Sequence, residues 1–503
     1  MIFEQNKRFN KIMPKLPLFA TLALGGTLFV YIILRAIKVG FTHDESSSFM
    51  NLIQEPLQDL FFNARNWQAA NNHLINTICM QIGYRWFGAE EWALRWGSVA
   101  AGLVFLTYAF RTVRLWLPVT SWWFFGAFCI FVLNHFVLDF FSLARGYGPS
   151  VAFEMAALYY FFRWIKQQGK IDLLKAGGAL GLGILSNFTL LDVMAAFFVT
   201  ISIVYYTNNK NNFSIVRYFK FITLPALPVL ATLLLIFQPI RWINAKGEFE
   251  YGPQAFWETW RVLFDRWVYH PSNGYAWVKV VALVVATLLF LRLGYVLFKR
   301  FRGPKLLESL QPVENYAAPL FYAAVLTVLT MLMTMVQHYL LGANYLIGRT
   351  ALLFYPLLSS VIVLYLMDWQ KRSFPHKTRV TWAVLVGFML INFAAQSNFR
   401  FAQEWPYEEN TKEAALLANQ QGDATHTINY GVGWLYYSTT LFYQETLDLN
   451  NITITYNSSH DDLPWVMAQP FDLIYIDPAL QAKVADTYAV FKIYPQGVMM
   501  KRK

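Results

Sequence analysis

Chemistry in this chain is suggested first by Phe41-Thr-His-Asp44-Glu45-Ser-Ser-Ser-Phe49, which sets two adjacent carboxylates just past the first long apolar run, where a hydrophobic helix leaves the bilayer. A carboxylate held there meets a lipid-borne substrate at the membrane surface and can take or give a proton. The bland alternative is a solvated acidic cap. His43, Asp44 and Glu45 are also ligand types suited to zinc or manganese, so a divalent cation is a candidate cofactor, although three adjacent residues point at one ion only with unusual backbone geometry. Asp192 is a further acid inside an apolar run, and we read it as exposed at a turn between two helices, since burial there is unfavourable without a partner. No phosphate-binding loop and no dinucleotide fingerprint occurs.

The elements that must position these residues follow from composition. Of 503 residues, 56% are hydrophobic and 18% aromatic, which is beyond a soluble domain and implies a polytopic α-helical membrane protein. About eleven runs approach the roughly 20 residues a spanning helix needs: 17–38, 92–110, 119–138, 147–163, 173–188, 189–206, 219–240, 277–297, 317–337, 350–367 and 380–397. Short loops rich in Lys and Arg stay cytoplasmic, and Lys7, Arg8, Arg111, Arg114, Lys166, Lys170, Arg217, Lys220, Lys299, Arg300, Lys371 and Arg372 then put the amino terminus inside. The net charge of +11 is mostly this topology signal, and its scatter among loops argues against nucleic acid as a partner. Cys79 and Cys129 alone imply no disulfide framework.

This arrangement gathers the loop 39–91, the turn at Arg145, the loop 241–276, the turn 338–349 and the tail on the outer side. Within 39–91, residues 52–64 and 74–87 mix apolar, aromatic and polar types as interfacial helices do. The tail changes character. A polar helix over 407–420 and strands over 425–430, 452–456, 471–476 and 488–494 make residues 398–503 a small α/β extracytoplasmic domain after a membrane domain of residues 1–397.

At these residues the chain resembles the GT-C membrane glycosyltransferases, and within them the protein O-mannosyltransferase and aminoarabinose transferase-like group (glycosyltransferase family 39-like). His43-Asp44-Glu45 matches that family's acidic motif after helix one. Asn71-Asn72-His73-Leu74, followed by Arg85-Trp-Phe-Gly88-Ala-Glu-Glu-Trp-Ala-Leu-Arg95, looks like its "HPPL … lfG.se.alR" run, without the two prolines after the histidine. Ala144-Arg145-Gly146-Tyr147 is like its "aRgY" opening of helix four, and Asn344-Tyr-Leu-Ile-Gly-Arg349 is a looser match to a late "RY" element. The likeness covers roughly residues 15 to 400, and the order of the elements is more specific than any one of them.

The resemblance implies transfer of a sugar from a polyprenyl-phosphate donor in the membrane lipid to a glycan, lipid or protein acceptor, with inversion, on the outer face of a bacterial inner membrane. Such a transfer needs a carboxylate to accept the acceptor proton, for which Asp44 is the candidate, with Glu45 or His43 orienting it. The leaving phosphate needs fixed cations, and Arg145 and Arg349 are the candidates because guanidinium groups grip phosphate with two prongs; both also suit plain contact with head groups. Asn72, His73 and Tyr147 join them as substrate-binding candidates, and Asp139 is read as a partner of Arg145 or a second acid of the site. The rival readings are a lipid or sugar transporter or flippase, which inverted repeats would favour and which this chain does not display, and a non-catalytic cell-envelope assembly subunit.

Overall fold

The structure is a computed structural model and describes residues 15–67, 71–209, 212–248, 251–268, 316–372, 375–423, 425–455 and 461–503, with backbone alone for 317, 371, 372 and 375–378. The expected span 277–297 lies outside the described residues.

Helix α1 (Leu16–Lys38) has Pro17 in its first turn, where a missing N–H costs nothing, and ends with Arg35 and Lys38 in its last turn. It is followed by α2 (His43–Leu52), α3 (Leu57–Phe62), α4 (Leu74–Phe87) and α5 (Glu91–Arg114). The expected span 119–138 is broken. Ser121 caps α6 (Trp122–Val132), the chain turns at Leu133, and the Asn134 side chain caps a separate short α7 (His135–Asp139) by accepting from the Val137 N–H. Then come α8 (Tyr147–Gln167), α9 (Lys170–Ser186), α10 (Leu190–Asn209), α11 (Ile215–Ala245) and the amphipathic α12 (Phe256–Val268). Helices α13 (Ala317–Leu341), α14 (Phe354–Arg372) and α15 (Pro375–Gln396) complete the bundle. Among the described residues six helices are long and apolar enough to cross a membrane, and leucines such as Leu227 and Leu234 on α11 face outward, as lipid contact requires. This is a membrane protein.

The carboxy-terminal region folds as α16 (Thr411–Asn419), α17 (Trp434–Thr446), α18 (Asp462–Ala468) and a five-stranded sheet. Its strands are β1 (Ile428–Val432), β2 (Ile452–Thr455), β3 (Leu473–Ile476), β4 (Tyr488–Tyr494) and β5 (Gly497–Arg502), in the order β2-β1-β3-β5-β4. β1 pairs in parallel with β2 and β3, whereas β5 runs antiparallel to β3 and β4. Alternation sends Leu473, Tyr475 and Met499 into one apolar cluster and Ile474, Ile476, Val498 and Met500 into the other. The first cluster also contains Phe41, Phe49 and Ile53, so this region shares its core with α2. Phe442 of α17 stacks on Phe41 at 4.2 Å, and the Phe41 N–H donates to the Tyr443 hydroxyl at 2.7 Å.

Candidate functional site

Helix α2 carries the acidic pair and starts with a reciprocal cap. Thr42 Oγ1 accepts from the Glu45 N–H, and the Thr42 N–H donates to Glu45 Oε2 at 3.0 Å. Glu45 also receives Arg95 on both oxygens, Nε to Oε1 at 2.8 Å and NH2 to Oε2 at 2.7 Å, and accepts from the Ala144 N–H. Arg95 in turn donates to the carbonyls of Ala36, Val39 and Gly40, which locks the exit of α1 to the start of α2. Both side chains are fully buried. Both oxygens of Glu45 are thus engaged by Arg95 and backbone donors in a buried pair, whereas the expected catalytic role needs an oxygen that can reach a substrate.

Capping turns Asp44 the other way. Its Oδ2 lies 3.3 Å from Arg145 NH2 and 3.2 Å from Arg349 NH2, and 15% of the side chain stays open. Burial alone would push the carboxyl up, but Arg145, then Arg349 and His43, hold it below its ordinary value. Arg145 is gripped from several sides: NH1 donates to the Asp44 carbonyl and Ser48 Oγ, both at 3.3 Å, and NH2 donates to Asn71 Oδ1 at 2.5 Å and to His73 Nε2 at 3.1 Å. Burial, then Arg145 and Arg349, push the His73 imidazole well below its usual range, so it is neutral. The Ser186 backbone acts against this shift, favouring the charged ring, but burial and the two arginines outweigh it.

The Gly146 step makes this packing possible. A Cβ there would fall 2.0 Å from the Ser186 carbonyl oxygen and 2.6 Å from His73 Cβ, so only glycine lets Arg145 and the start of α8 approach α9 and the His73 turn.

Arg349 sits on a short helical turn, Gly348–Ala351. Nε donates to the Tyr147 hydroxyl at 3.2 Å, NH1 is 3.7 Å from Glu404 Oε1, and the group lies over Trp405 at 5.1 Å and Tyr251 at 5.5 Å. Tyr147 also has Arg145 over its ring at 5.8 Å, so one phenol borders both guanidinium groups. The structure thus brings Asp44, His73, Arg145, Tyr147 and Arg349 together from four distant stretches.

Other expected members lie elsewhere. Asn72 donates to the Asn66 carbonyl and accepts from Thr77, and its neighbour Asn71 is the residue on Arg145. Asp139 pairs with Arg35 at 2.7 Å and accepts from the Gln403 N–H at 2.9 Å, so it is neither the partner of Arg145 nor a second acid beside Asp44. Asp192 is buried at 6% exposure, not exposed at a turn. His43 Nδ1 lies on the Leu435 carbonyl while Glu45 faces Arg95 and Asp44 faces the two arginines, so this triplet diverges and does not fit a divalent cation. Among the described residues no group of three His, Cys, Asp or Glu could hold a metal.

Sequence reasoning missed Arg95, Asn71, Tyr251, Glu404 and Trp405. For the structural engagement of Glu45 a signal existed, because Thr42-x-x-Glu45 is a capping-box spacing, whereas its contact with Arg95 spans 50 residues and has no local signal. Glu404 and Trp405 follow the last apolar run, where sequence reads as linker.

No family model matches the chain and no curated protein matches it. Among solved structures, ArnT, an aminoarabinose transferase of the GT-C superfamily, from Cupriavidus metallidurans in the apo state is similar at TM-score 0.51 and 12% identity, over 95% of this chain and 97% of that one. ArnT from the same organism bound to undecaprenyl phosphate gives TM-score 0.49, 12% identity and the same coverage. The archaeal oligosaccharyltransferase AglB from Archaeoglobus fulgidus, in complex with an inhibitory peptide and a dolichol-phosphate, gives TM-score 0.45 and 11% identity over 91% of this chain and 70% of that one. The overall fold is that of the apo ArnT structure, as the resemblance in the sequence implied.

Proposed function

We propose that this protein is a glycosyltransferase that moves a sugar from a polyprenyl-phosphate donor to an acceptor hydroxyl on the outer face of the membrane, with inversion. The observation that carries the reading is the convergence of Arg145 and Arg349 on Asp44 Oδ2. Two fixed guanidinium groups about a carboxylate form a site for an anion next to a base. The ArnT-like fold supports the same class of reaction.

In the reaction the acceptor oxygen bonds to the anomeric carbon as the bond from that carbon to the phosphate oxygen breaks. The hydroxyl proton passes to Asp44, and the electron pair leaves with the polyprenyl phosphate. Arg145 and Arg349 take the growing charge of that phosphate, helped by the Tyr147 hydroxyl. A carboxylate paired to both guanidinium groups is a weak base. Phosphate oxygens that occupy the arginines loosen both pairs and return proton affinity to Asp44. Neutral His73 holds Arg145 in place without adding charge. The acceptor class is a glycan, lipid or protein, the host membrane a bacterial inner membrane with the amino terminus cytoplasmic, and residues 398–503 an extracytoplasmic unit that buttresses α2.

The test is release of polyprenyl phosphate from a panel of radiolabelled polyprenyl-phosphate sugars by purified protein with an acceptor extract, beside Asp44→Asn. Turnover in the parent with loss of several orders of magnitude in the variant supports the reading. Equal turnover in both discards Asp44 as the base, and no turnover with any donor discards the transferase.

A further inference from the structure

Between α15 and the carboxy-terminal sheet, residues 397–405 form a strap that carries a charge for which the proposed reaction has no use. Arg35 NH1 donates to the Asn398 carbonyl at 2.6 Å and NH2 to the Phe401 carbonyl at 2.9 Å. Asp139 accepts from the Gln403 N–H, and Arg266 NH1 donates to the Gln403 carbonyl at 3.2 Å. Anchored at these points, the strap delivers Glu404 to Arg349, NH1 to Oε1 at 3.7 Å, while Glu404 Oε2 lies 3.5 Å from Arg266 NH2. Glu404 is only 11% exposed, and Oε2 has no hydrogen-bond partner. Arg349 is therefore suspended between two carboxylates, Asp44 on one side and Glu404 on the other, with Tyr147, Tyr251 and Trp405 fixing its plane.

We propose that Glu404 is a positioning residue acting through Arg349: it offers the guanidinium a second anion and so tempers its grip on lipid phosphate, which promotes release of the spent carrier. This rests on the assignment of Arg349 to the donor phosphate. The physical reason is the charge of the two ligands. The donor is a phosphodiester with one negative charge, whereas the released polyprenyl phosphate is a monoester that approaches two near neutral pH. Repulsion from a fixed carboxylate scales with ligand charge. Glu404 thus weakens the product more than the substrate. Arg266 shares Glu404 through NH2 on its other oxygen, and with NH1 on the Gln403 carbonyl and its face over Phe136 at 5.6 Å it fixes the carboxylate beside Arg349.

The experiment measures the Kd of tritiated polyprenyl phosphate for the purified full chain in lipid nanodiscs, comparing the parent with Glu404→Gln, Glu404→Asp, Arg349→Gln and the Arg349→Gln/Glu404→Gln pair. Arg349→Gln is expected to bind more weakly and Glu404→Gln more tightly, by about tenfold for one ion pair of this exposure. Glu404→Asp should restore parental binding, and the tightening should largely vanish in the Arg349→Gln background. A glutamate that merely braced the strap would move binding the opposite way when removed. Equal or weaker binding by Glu404→Gln, with Arg349→Gln weakened, overturns the inference alone. Parental binding by Arg349→Gln overturns the phosphate assignment and this inference with it.

Discussion

Glu45→Gln separates the two carboxylates of the acidic motif. In the folded protein Glu45 and Arg95 have no exposed side-chain surface and meet in two charge-assisted hydrogen bonds of 2.8 and 2.7 Å. Removing the charge leaves the buried Arg95 guanidinium with neutral acceptors, the amide oxygen and the backbone carbonyls, and only Glu91 at 3.9 Å as a counter-charge, and breaking a buried pair from one side costs about 3–5 kcal/mol. Asp44→Asn removes a group that is 15% open, whose two ion pairs at 3.2 and 3.3 Å lack hydrogen-bond alignment at Oδ2 and whose loss leaves both arginines their other partners, so its effect should be the smaller of the two. The expected contrast is a midpoint lowered by on the order of 5–10 °C for Glu45→Gln against little change for Asp44→Asn. Thermal denaturation of detergent-purified protein, followed by size-exclusion recovery, reads this directly. In an Arg95→Met background the Glu45→Gln effect should shrink, because the two residues act as one pair. The reasoning fails if Glu45→Gln is as stable as the parent, or if Asp44→Asn is the more damaged of the two.

Gly146→Ala should abolish recovery of monodisperse protein, since the added carbon would meet both the Ser186 backbone and the His73 side chain. Glu408 is fully enclosed by Thr411 and Thr439 and pushed by burial to about 8. A carboxyl raised in the folded state binds more protons there than in the unfolded chain, so its contribution is present at low pH and lost as pH rises towards about 8. Glu408→Gln should flatten that decline in thermal midpoint, and an unchanged slope between pH 5 and 8.5 would contradict it. For His73, depressed by burial, the sign reverses: the unfolded chain takes up the proton first, so stability falls as pH drops below roughly 6.5. His73→Gln should lessen that acid-side loss, read in the same melts.

Much of the bundle was legible because long apolar runs report helices almost directly: ten of the expected runs coincide with described helices, allowing for the break in one, and six of these are long and apolar enough to cross a membrane. That break went unseen because Asn134 looks like a single polar residue in a greasy stretch, whereas its side chain is a helix cap. In the tail, the strands at 452–455, 473–476 and 488–494 were readable from β-branched and aromatic residues, but α17 was not, since Trp434-Leu-Tyr-Tyr has no clear period, and β5 was hidden by its methionines and basic end. In the site, Asp44 stood out as a charge at an apolar boundary, and Arg145 and Arg349 were pointed out by the family resemblance. Asn71 and Asn72 are indistinguishable by type, and only the turn before α4 decides which one meets Arg145. Glu404 depends on a contact across the whole chain, and no local pattern reports that.

The central claim is that Arg145 and Arg349 form the seat of the donor phosphate beside Asp44. The most direct measurement is an electron cryomicroscopy structure of the full chain in nanodiscs with polyprenyl phosphate. The account predicts the phosphate between the two guanidinium groups, both Asp44 ion pairs lengthened, and the carboxylate turned towards open space. A phosphate seated away from both arginines, with Asp44 still held between them, would contradict it.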